Sequence, residues 1–276
     1  MIVSLNDILP FARAGGYGVG LFNTTDGDML QAVLAAAEAE RSPVIIGTAE
    51  VLLPFGELKH IAPSMIEAAK RASVPVVVHY DHGLTVNRCL EAIRLGFSSI
   101  MFDASLNSPE ENLAATREMV RLAHACGISV EGEIGHVGNV GVQGEADRYT
   151  TVEEARAFTE ATGVDALAIA IGTAHGAYKT APVLDFKRLA EIRAAIETPL
   201  VLHGGSGLTD DDFRRCVKEG IAKVNIFTDL CLVGRKAIQD GLNAGEDYLK
   251  IRNRKVAAIT EDVRAKMRLF GCAGKA

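Results

Sequence analysis

The sequence of 276 residues contains no tryptophan, and aromatic residues make up only 5% of it. This scarcity disfavours the stacking platforms that bind nucleic-acid bases. No apolar run approaches the roughly 18 residues of a membrane span, and the N-terminal residues lack the cationic and apolar regions of a secretory signal. A net charge of −6 gives no electrostatic attraction to nucleic acid. We therefore expect a cytoplasmic protein without nucleic-acid or membrane partners.

Cysteine is also sparse, and the five cysteines form no CxxC pair. An odd number of scattered cysteines argues against both a disulfide framework and a structural zinc site made of cysteines. We expect most of them to be small core residues. They are Cys89, Cys126, Cys216, Cys231 and Cys272.

The chain does contain a repeating pattern, in which a short apolar run precedes an amphipathic stretch. The eight candidate strands are Tyr17–Phe22, Val44–Gly47, Val74–Tyr80, Ser99–Asp103, Ile128–Glu133, Ala166–Ile171, Leu200–His203 and Ala222–Ile226. Such alternation is typical of parallel βαβ units, which form either an open doubly wound sheet or a closed barrel. Eight units in this length predict a single α/β domain over residues 1–276, a (β/α)8 TIM barrel.

Two predicted helices lie outside the barrel repeat, an extra N-terminal helix over Ser4–Arg13 and a long C-terminal helix over Asp247–Leu269. Between the strands, Ser108 and Thr151 each begin a capping-box pattern that marks a helix start. A glycine-rich segment runs from Gly135 to about Thr150 after the fifth strand. A loop of that length is usually a functional segment or a disordered one.

Three of the seven histidines lie at or just after the ends of candidate strands, and each precedes a glycine. They are His82, His175 and His203. In a barrel the carboxyl ends of all strands meet at one mouth. Three neutral imidazoles with one open position form a catalytic zinc shell. The alternative for any single histidine is a hydrogen-bonded loop residue, but together the three predict a Zn²⁺ site.

The remaining histidines and Asp81 are interpreted from their positions. Asp81 alternates with His79 along the strand, so both are expected to face the barrel interior. Asp81 could orient His82, join the metal shell or move substrate protons, and strand geometry leaves these roles open. His79 is interpreted as a support for the metal ligands. For the others, we expect solvated or hydrogen-bonded side chains at His60 and His124, and leave His136 unassigned.

Two strand-to-helix turns near the C-terminus indicate an anion site. The segment HGGSG (His203–Gly207) opens a helix, and KVNIFTD (Lys223–Asp229) leads into the next one. Backbone N–H groups at such turns bind anions, and barrels often hold phosphate after strands seven and eight. Since tight turns need glycine in any case, the alternative is a turn without a ligand.

Motifs along nearly the whole chain resemble the class II, zinc-dependent ketose-bisphosphate aldolases, nearer the tagatose-bisphosphate type than the long fructose-bisphosphate type. The resemblance depends on all of them occurring together and in order. They are Phe22-Asn23, Ser42–Thr48, His79–Gly83, Phe102-Asp103, Ser129–Gly135, Gly172–Lys179, Leu202–Gly207, Lys223–Leu230 and Phe270–Ala276.

The resemblance implies a role for each residue that matches a family motif. His82, His175 and His203 would bind the catalytic Zn²⁺, and Asp81 would serve the hydroxyl at the bond being broken. The implied contacts to dihydroxyacetone phosphate are Gly176, Gly204, Gly205, Ser206, Asn225, Ile226, Phe227 and Thr228, with further substrate contacts at Asn23, Thr48 and Lys179. Asp103 and Glu133 match an auxiliary metal position. A monovalent cation, Na⁺ or K⁺, near the phosphate and a homodimer or homotetramer are also implied.

The predicted chemistry is retro-aldol cleavage of a phosphorylated sugar. Zn²⁺ would act as the Lewis acid that stabilises the enediolate, and Asp81 would take the proton from the C4 hydroxyl. The resemblance makes Glu145, in the loop after the fifth strand, the candidate that transfers the proton at the enediolate carbon. Phe227 replaces an aspartate or a small residue of the family and should reshape the pocket. Arg252 and Arg254 are the candidates for a second phosphate.

Two other functions fit some of these residues. Three histidines and an aspartate also suit a metal-dependent lyase or hydrolase that activates water. Such enzymes more often place an HxH pair on the first strand, and Tyr17–Phe22 contains no histidine. The third reading is a non-catalytic subunit that kept the fold, against which the intact set of three histidines and Asp81 argues.

Overall fold

A computed structural model describes residues 1–137, 149–176 and 182–276. Eight parallel strands pair in chain order and close into a barrel, with the eighth strand beside the first. The predicted barrel is therefore confirmed. Its strands are β1 (Val19–Asn23), β2 (Val44–Ala49), β3 (Val76–Gly83), β4 (Ser99–Phe102), β5 (Ser129–Ile134), β6 (Ala166–Ile169), β7 (Leu200–Leu202) and β8 (Ile221–Ile226).

In the described ranges, one helix follows each strand of the barrel, and two further helices flank the repeat. The helices are α1 (Leu9–Gly15), α2 (Gly27–Glu40), α3 (Leu58–Arg71), α4 (Val86–Leu95), α5 (Pro109–His124), α6 (Val152–Thr162), α7 (Phe186–Ala195), α8 (Asp210–Glu219), α9 (Thr228–Asn243) and α10 (Tyr248–Phe270). The long C-terminal helix is confirmed as α10, which packs against α2 and α9.

The single N-terminal helix predicted over Ser4–Arg13 is wrong in detail. A 3₁₀ turn covers Leu5–Asp7, and α1 begins only at Leu9. Pro10 lies in the first turn of α1, where a residue without an N–H group leaves no intrahelical bond unmade. The Asp7 carboxylate accepts hydrogen bonds from the backbone N–H and the hydroxyl of Ser4, which closes this short turn before α1 begins.

The predicted helix starts are correct where the sequence supplied a reciprocal cap. Ser108 accepts from the N–H of Glu111 at the start of α5, while the Glu111 side chain accepts from the N–H of Ser108. Thr151 and Glu154 repeat this pattern at α6. Each cap satisfies N–H groups that the helix itself cannot pair.

Hydrophobic residues of the strands are buried on both faces, as a barrel sheathed by helices requires. Polar side chains also occupy the interior, since His79 on β3, Glu131 on β5 and Lys223 on β8 are all fully buried. These strands are not neighbours, so their side chains can meet only across the inside of the barrel. All five cysteines are free, and three of them are buried.

Across the described residues, no helix combines the length and the apolar character that a membrane span requires.

Candidate active site

A cavity of about 320 Å³ opens at the carboxyl ends of the strands. It brings together most of the residues that the sequence singled out. Those in its lining are Asn23, Asp81, His82, Asp103, His175, Gly176, Gly204, Gly205, Ser206, Asn225, Ile226, Phe227 and Thr228. Convergence of residues so distant in sequence follows from the barrel, because all strand ends point to one mouth.

Not all of the candidate residues belong to this lining. His203, Thr48 and Glu133 are buried and do not belong to the cavity lining. Glu145 and Lys179 lie outside the described residues, so their roles stay predictions.

The three predicted zinc ligands lie side by side. The ring of His82 is 4.5 Å from that of His203 and 4.9 Å from that of His175, measured between centroids, and the rings of His175 and His203 are 5.8 Å apart. Each ring offers a nitrogen within 4.8 Å of the other two. This spacing allows all three imidazoles to share one ion.

An irregularity in β3 lets two adjacent residues face the same cavity. In a regular strand, neighbouring side chains point to opposite faces, yet Asp81 and His82 both line the cavity. The register between β3 and β4 shifts between Tyr80 and Gly83. His82 adopts a φ of 41°, a left-handed conformation that is uncommon outside glycine and clusters at functional sites. The local strain therefore serves to aim both side chains at the mouth.

Carboxylates fix the ring orientation of two of the histidines. His82 Nδ1 lies 2.8 Å from Asp103 Oδ2, and His203 Nε2 lies 2.7 Å from Glu131 Oε1. Since an ionised carboxylate only accepts, each of these ring nitrogens carries the proton. When the ring is neutral, its other nitrogen holds the lone pair that a metal ion needs. A carboxylate behind a histidine is the usual support for a metal ligand.

The nitrogens that face the cavity fit a metal ion. Within the described part of the chain, His82 Nε2 and His175 Nε2 are buried without any hydrogen-bond partner. Leaving a buried polar atom unpaired costs about 1–3 kcal/mol. Burial, then the charge on His82, lowers the pKa of His175 to about 3, so its imidazole is neutral and able to coordinate. Zn²⁺ is the ion that suits three neutral imidazoles.

Asp81 is a buried, ionised carboxylate beside these rings. Asn23 Nδ2 donates to its Oδ2 at 2.8 Å, and Asn225 Nδ2 donates to its Oδ1 at 3.0 Å. Burial alone would raise the pKa of Asp81, but His82, His203 and Lys223 hold it well below its usual range. The side chain is thus a proton acceptor at neutral pH.

Two residues that contact the predicted site were not singled out from the sequence, Glu131 and Lys223. Lys223 Nζ lies 2.7 Å from Glu131 Oε2 and 2.7 Å from Asn225 Oδ1. The alternation of side chains along a strand could have revealed them. Glu131 lies on the same strand face as Glu133, and Lys223 lies on the same face as Asn225. A charged residue that alternates with a candidate ligand in an otherwise apolar strand belongs to the same interior cluster.

His79 occupies the space between the two buried carboxylates. Its Nε2 lies 3.9 Å from Asp81 Oδ1 and 3.8 Å from Glu131 Oε2, while its Nδ1 is 2.8 Å from Ser99 Oγ. Burial, then the Lys223 charge, lowers the pKa of His79 to about 3. A neutral ring behind Asp81 agrees with the interpretation of His79 as a support. His60 is exposed, and His124 pairs with Asp165 at the surface.

The predicted auxiliary metal residues Asp103 and Glu133 lie close to His82. One ligand atom from each of His82, Asp103 and Glu133 falls within 4.8 Å of the other two. Burial, followed by the charge of Asp103, raises the pKa of Glu133 to about 8. His136, which the sequence left unassigned, lies in the cavity wall 3.9 Å from Glu133.

The predicted phosphate segments lie next to each other in the cavity wall. Ser206 Oγ accepts from the backbone N–H of Phe227 at 3.4 Å and from that of Asp229 at 3.3 Å. Because α9 begins at Thr228, these groups belong to a helix N-terminus, where a partial positive charge favours anions. Arg252 and Arg254 are not in the cavity lining and pair with Asp28 and Glu246, respectively.

A substitution at Gly204 would test whether the turn after β7 must approach the loop that carries His175 closely. A Cβ at Gly204 would lie 2.5 Å from the carbonyl oxygen of Ala174, and its φ is 64°. We expect Gly204→Ala to lower the free energy of unfolding by roughly 2 kcal/mol or more. Gly16 has the same φ with nothing within 4 Å, so Gly16→Ala should cost only about 1 kcal/mol. Equal losses in urea unfolding would show that the close approach is unimportant.

Comparison with known proteins identifies the family. A family model described as "Fructose-bisphosphate aldolase class-II" matches residues 3–275. The protein YdjI of Escherichia coli K12, described as uncharacterized, is 39% identical over 263 residues, which cover 94% of both chains. A probable fructose-bisphosphate aldolase of Bacillus subtilis is 39% identical over 284 residues, covering 100% of this chain and 99% of the relative.

A solved structure agrees with these sequence matches. The X-ray crystal structure of the YdjI aldolase from Escherichia coli K12 has a TM-score of 0.92 and 35% identity, and it covers 100% of both chains. The predicted aldolase is thereby confirmed, whereas the closer likeness to the tagatose type stays a prediction. The chain belongs to the class II fructose-bisphosphate aldolase family.

Proposed function

We propose that this chain is a zinc-dependent aldolase that reversibly cleaves a phosphorylated ketose to dihydroxyacetone phosphate and an aldehyde. The observation that carries the proposal is the convergence of His82, His175 and His203 beside the ionised Asp81 at the barrel mouth. Two of the three rings present a buried nitrogen with no partner among the described residues. The other metal-dependent activities considered from the sequence have no comparable support from the family.

Zn²⁺ would be held by His82, His175 and His203. When bound, it supplies a Lewis acid that stabilises the negative charge developing on the ketose carbonyl oxygen. The carboxylates of Asp103 and Glu131 hold the His82 and His203 rings in place. This support fixes the ring orientations before substrate binds.

Asp81 would take the proton from the C4 hydroxyl as the C3–C4 bond breaks and return it in the condensation direction. The amides of Asn23 and Asn225 bond one oxygen each, so the carboxylate cannot rotate freely. Its pKa lies below the usual range, which keeps it in the accepting state. From the family resemblance, we also propose that Glu145 transfers the proton at the enediolate carbon.

The phosphate of the ketose would lie between the turn Gly204–Ser206 and the segment Asn225–Thr228. Both segments line the cavity, and the N-terminus of α9 directs backbone N–H groups toward Ser206. Lys179 and a monovalent cation, Na⁺ or K⁺, are further proposed contacts. A dimer or tetramer is proposed from the family resemblance alone.

The aldehyde half of the substrate would meet an apolar wall. The cavity lining includes the apolar side chains of Val51, Leu52, Leu84, Leu106 and Phe227. Among the described lining residues there is no lysine or arginine to bind a second phosphate. We therefore propose that ketoses with a single phosphate belong among the substrates, alongside tagatose and fructose 1,6-bisphosphate.

The test is a retro-aldol assay of the zinc-loaded protein over fructose and tagatose 1,6-bisphosphates and ketose 1-phosphates. We expect dihydroxyacetone phosphate to form from at least one ketose. A chelator should abolish the activity, added zinc should restore it, and borohydride should trap no Schiff base. A protein that binds zinc yet cleaves none of these sugars would contradict the proposal and favour the non-catalytic subunit.

Zinc binding should release a proton at pH 8. Burial would lower the pKa of His82, but Asp81, Asp103 and Glu133 raise it to about 10. The metal-free ring therefore carries a charge that Zn²⁺ must displace, because only a deprotonated nitrogen can coordinate. The apparent affinity should then rise as the pH rises toward 10. Calorimetry in buffers of different ionisation enthalpy measures the proton count, and a value of zero would contradict this expectation.

A further inference from the structure

We infer that Lys223 is a positioning residue that orients both the proton acceptor and one metal ligand from beneath the site. The inference rests on the proposed zinc aldolase function. It concerns three side chains in the barrel interior, Lys223, Glu131 and Asn225, none of which is more than 7% exposed.

The first effect is on Asn225. A lysine ammonium group only donates hydrogen bonds, so the Asn225 atom 2.7 Å from Lys223 Nζ must be the carbonyl oxygen. The amide nitrogen of Asn225 then points the other way, to Asp81 Oδ1 at 3.0 Å and to His203 Nδ1 at 3.3 Å. Without Lys223 the amide could turn over and place its oxygen against the Asp81 carboxylate.

The second effect is on His203. Lys223 Nζ lies 2.7 Å from Glu131 Oε2, and the other oxygen of Glu131 lies 2.7 Å from His203 Nε2. Because the carboxylate accepts on both sides, His203 carries its proton on Nε2. Its Nδ1 then keeps the lone pair that a metal needs. One cation thus supports two different groups of the site.

This arrangement predicts that one substitution weakens zinc binding and that a second substitution restores it. In Glu131→Gln, Lys223 requires an acceptor and takes the new amide oxygen, which turns the NH₂ group toward His203 Nε2. His203 must then accept at Nε2 and carry its proton on Nδ1, the nitrogen that should bind zinc. We expect the zinc dissociation constant to rise by roughly 10–100-fold.

Removing the lysine as well should reverse this loss. In Glu131→Gln/Lys223→Met, the amide oxygen is free to accept from His203 Nε2, so zinc binding should recover about tenfold or more. The kcat at saturating zinc should nevertheless stay roughly 10–100-fold below that of the parent, because Asn225 has lost its anchor. KM should change less than kcat.

The experiment measures zinc affinity by chelator competition, together with kcat, KM and thermal unfolding, in the parent and both variants. Glu118→Gln/Lys236→Met, which changes exposed helical residues, is the matched control. A purely structural role predicts that the second substitution adds to the damage. The inference is overturned if the double variant binds zinc no better than Glu131→Gln, if Glu131→Gln binds like the parent, or if the double variant keeps parental kcat.

A measurement on the metal-free parent protein does not depend on whether the variants fold. Ring-nitrogen NMR of histidine should show His203 with its proton on Nε2, and a proton on Nδ1 would overturn the inference. Neither this measurement nor zinc affinity uses a sugar substrate. A protein with the expected tautomer and zinc binding but no retro-aldol activity would therefore contradict the proposed function while leaving the positioning role intact.

Discussion

Replacing Asp81 with asparagine lowers kcat for retro-aldol cleavage by roughly 10²–10⁴-fold, while one zinc ion stays bound. The expected loss is large because this ionised carboxylate is the group proposed to accept the C4 hydroxyl proton. Asparagine keeps the shape of the side chain but has no basic oxygen. Since Asp81 is buried and hydrogen-bonded to two amides, its position in the site is fixed and the substitution changes mainly its basicity.

The measurement is steady-state kinetics with zinc content determined on the same sample. Asp262→Asn is the matched control, because Asp262 lies on the C-terminal helix α10 and does not line the cavity. Turnover of Asp81→Asn close to that of the parent would remove Asp81 from proton transfer. A parallel loss of zinc would instead assign it to metal binding.

Replacing His175 with alanine should abolish both tight zinc binding and turnover. Its ring is neutral, and its Nε2 has no other partner in the described part of the chain, so it is ready to coordinate. A Lewis acid contributes several kcal/mol of transition-state stabilisation, and each 1.36 kcal/mol is tenfold in rate. We therefore expect kcat to fall by about 10³-fold or more.

Chelation of the parent protein separates this effect from misfolding. Adding zinc after chelation should fully restore the activity of the parent, whereas added zinc should leave His175→Ala inactive. His60→Ala is the matched control, since His60 is exposed on α3. If His175→Ala bound zinc as tightly as the parent, the three-histidine site would be wrong.

The interior polar cluster departs from the apolar packing of the barrel. Lys223, Glu131 and His79 are fully buried, and a buried ion pair often contributes little net stability because desolvation costs so much. Places where a sequence breaks a local rule are expected to be functional. Here the buried polar cluster supports the orientation of Asp81 and His203.

The barrel could be predicted from the sequence because each strand is a short apolar run with a helix start after it. Strand ends were less accurate, as β3 continues through Gly83 rather than ending at Tyr80. Periodicity alone cannot reveal an irregularity such as the left-handed His82. The same irregularity explains why alternation did not predict that Asp81 and His82 share a cavity.

The candidate site could be predicted where histidine, glycine and strand ends coincided. Glu131 and Lys223 were missed because each lies inside an apolar strand, and their partners come from strands distant in sequence. The structure places both arginine candidates away from the cavity lining, because Arg252 and Arg254 lie on α10 and pair with Asp28 and Glu246, respectively. Position in the sequence gave no indication of those pairs.

The central proposal is that one zinc ion lies among His82, His175 and His203. The direct measurement is an anomalous difference map, recorded above and below the zinc absorption edge, from crystals of the zinc-loaded protein. We predict one strong peak within coordinating distance, about 2.0–2.1 Å, of a ring nitrogen from each of the three histidines. A peak elsewhere, with these three nitrogens unbound, would contradict the proposal.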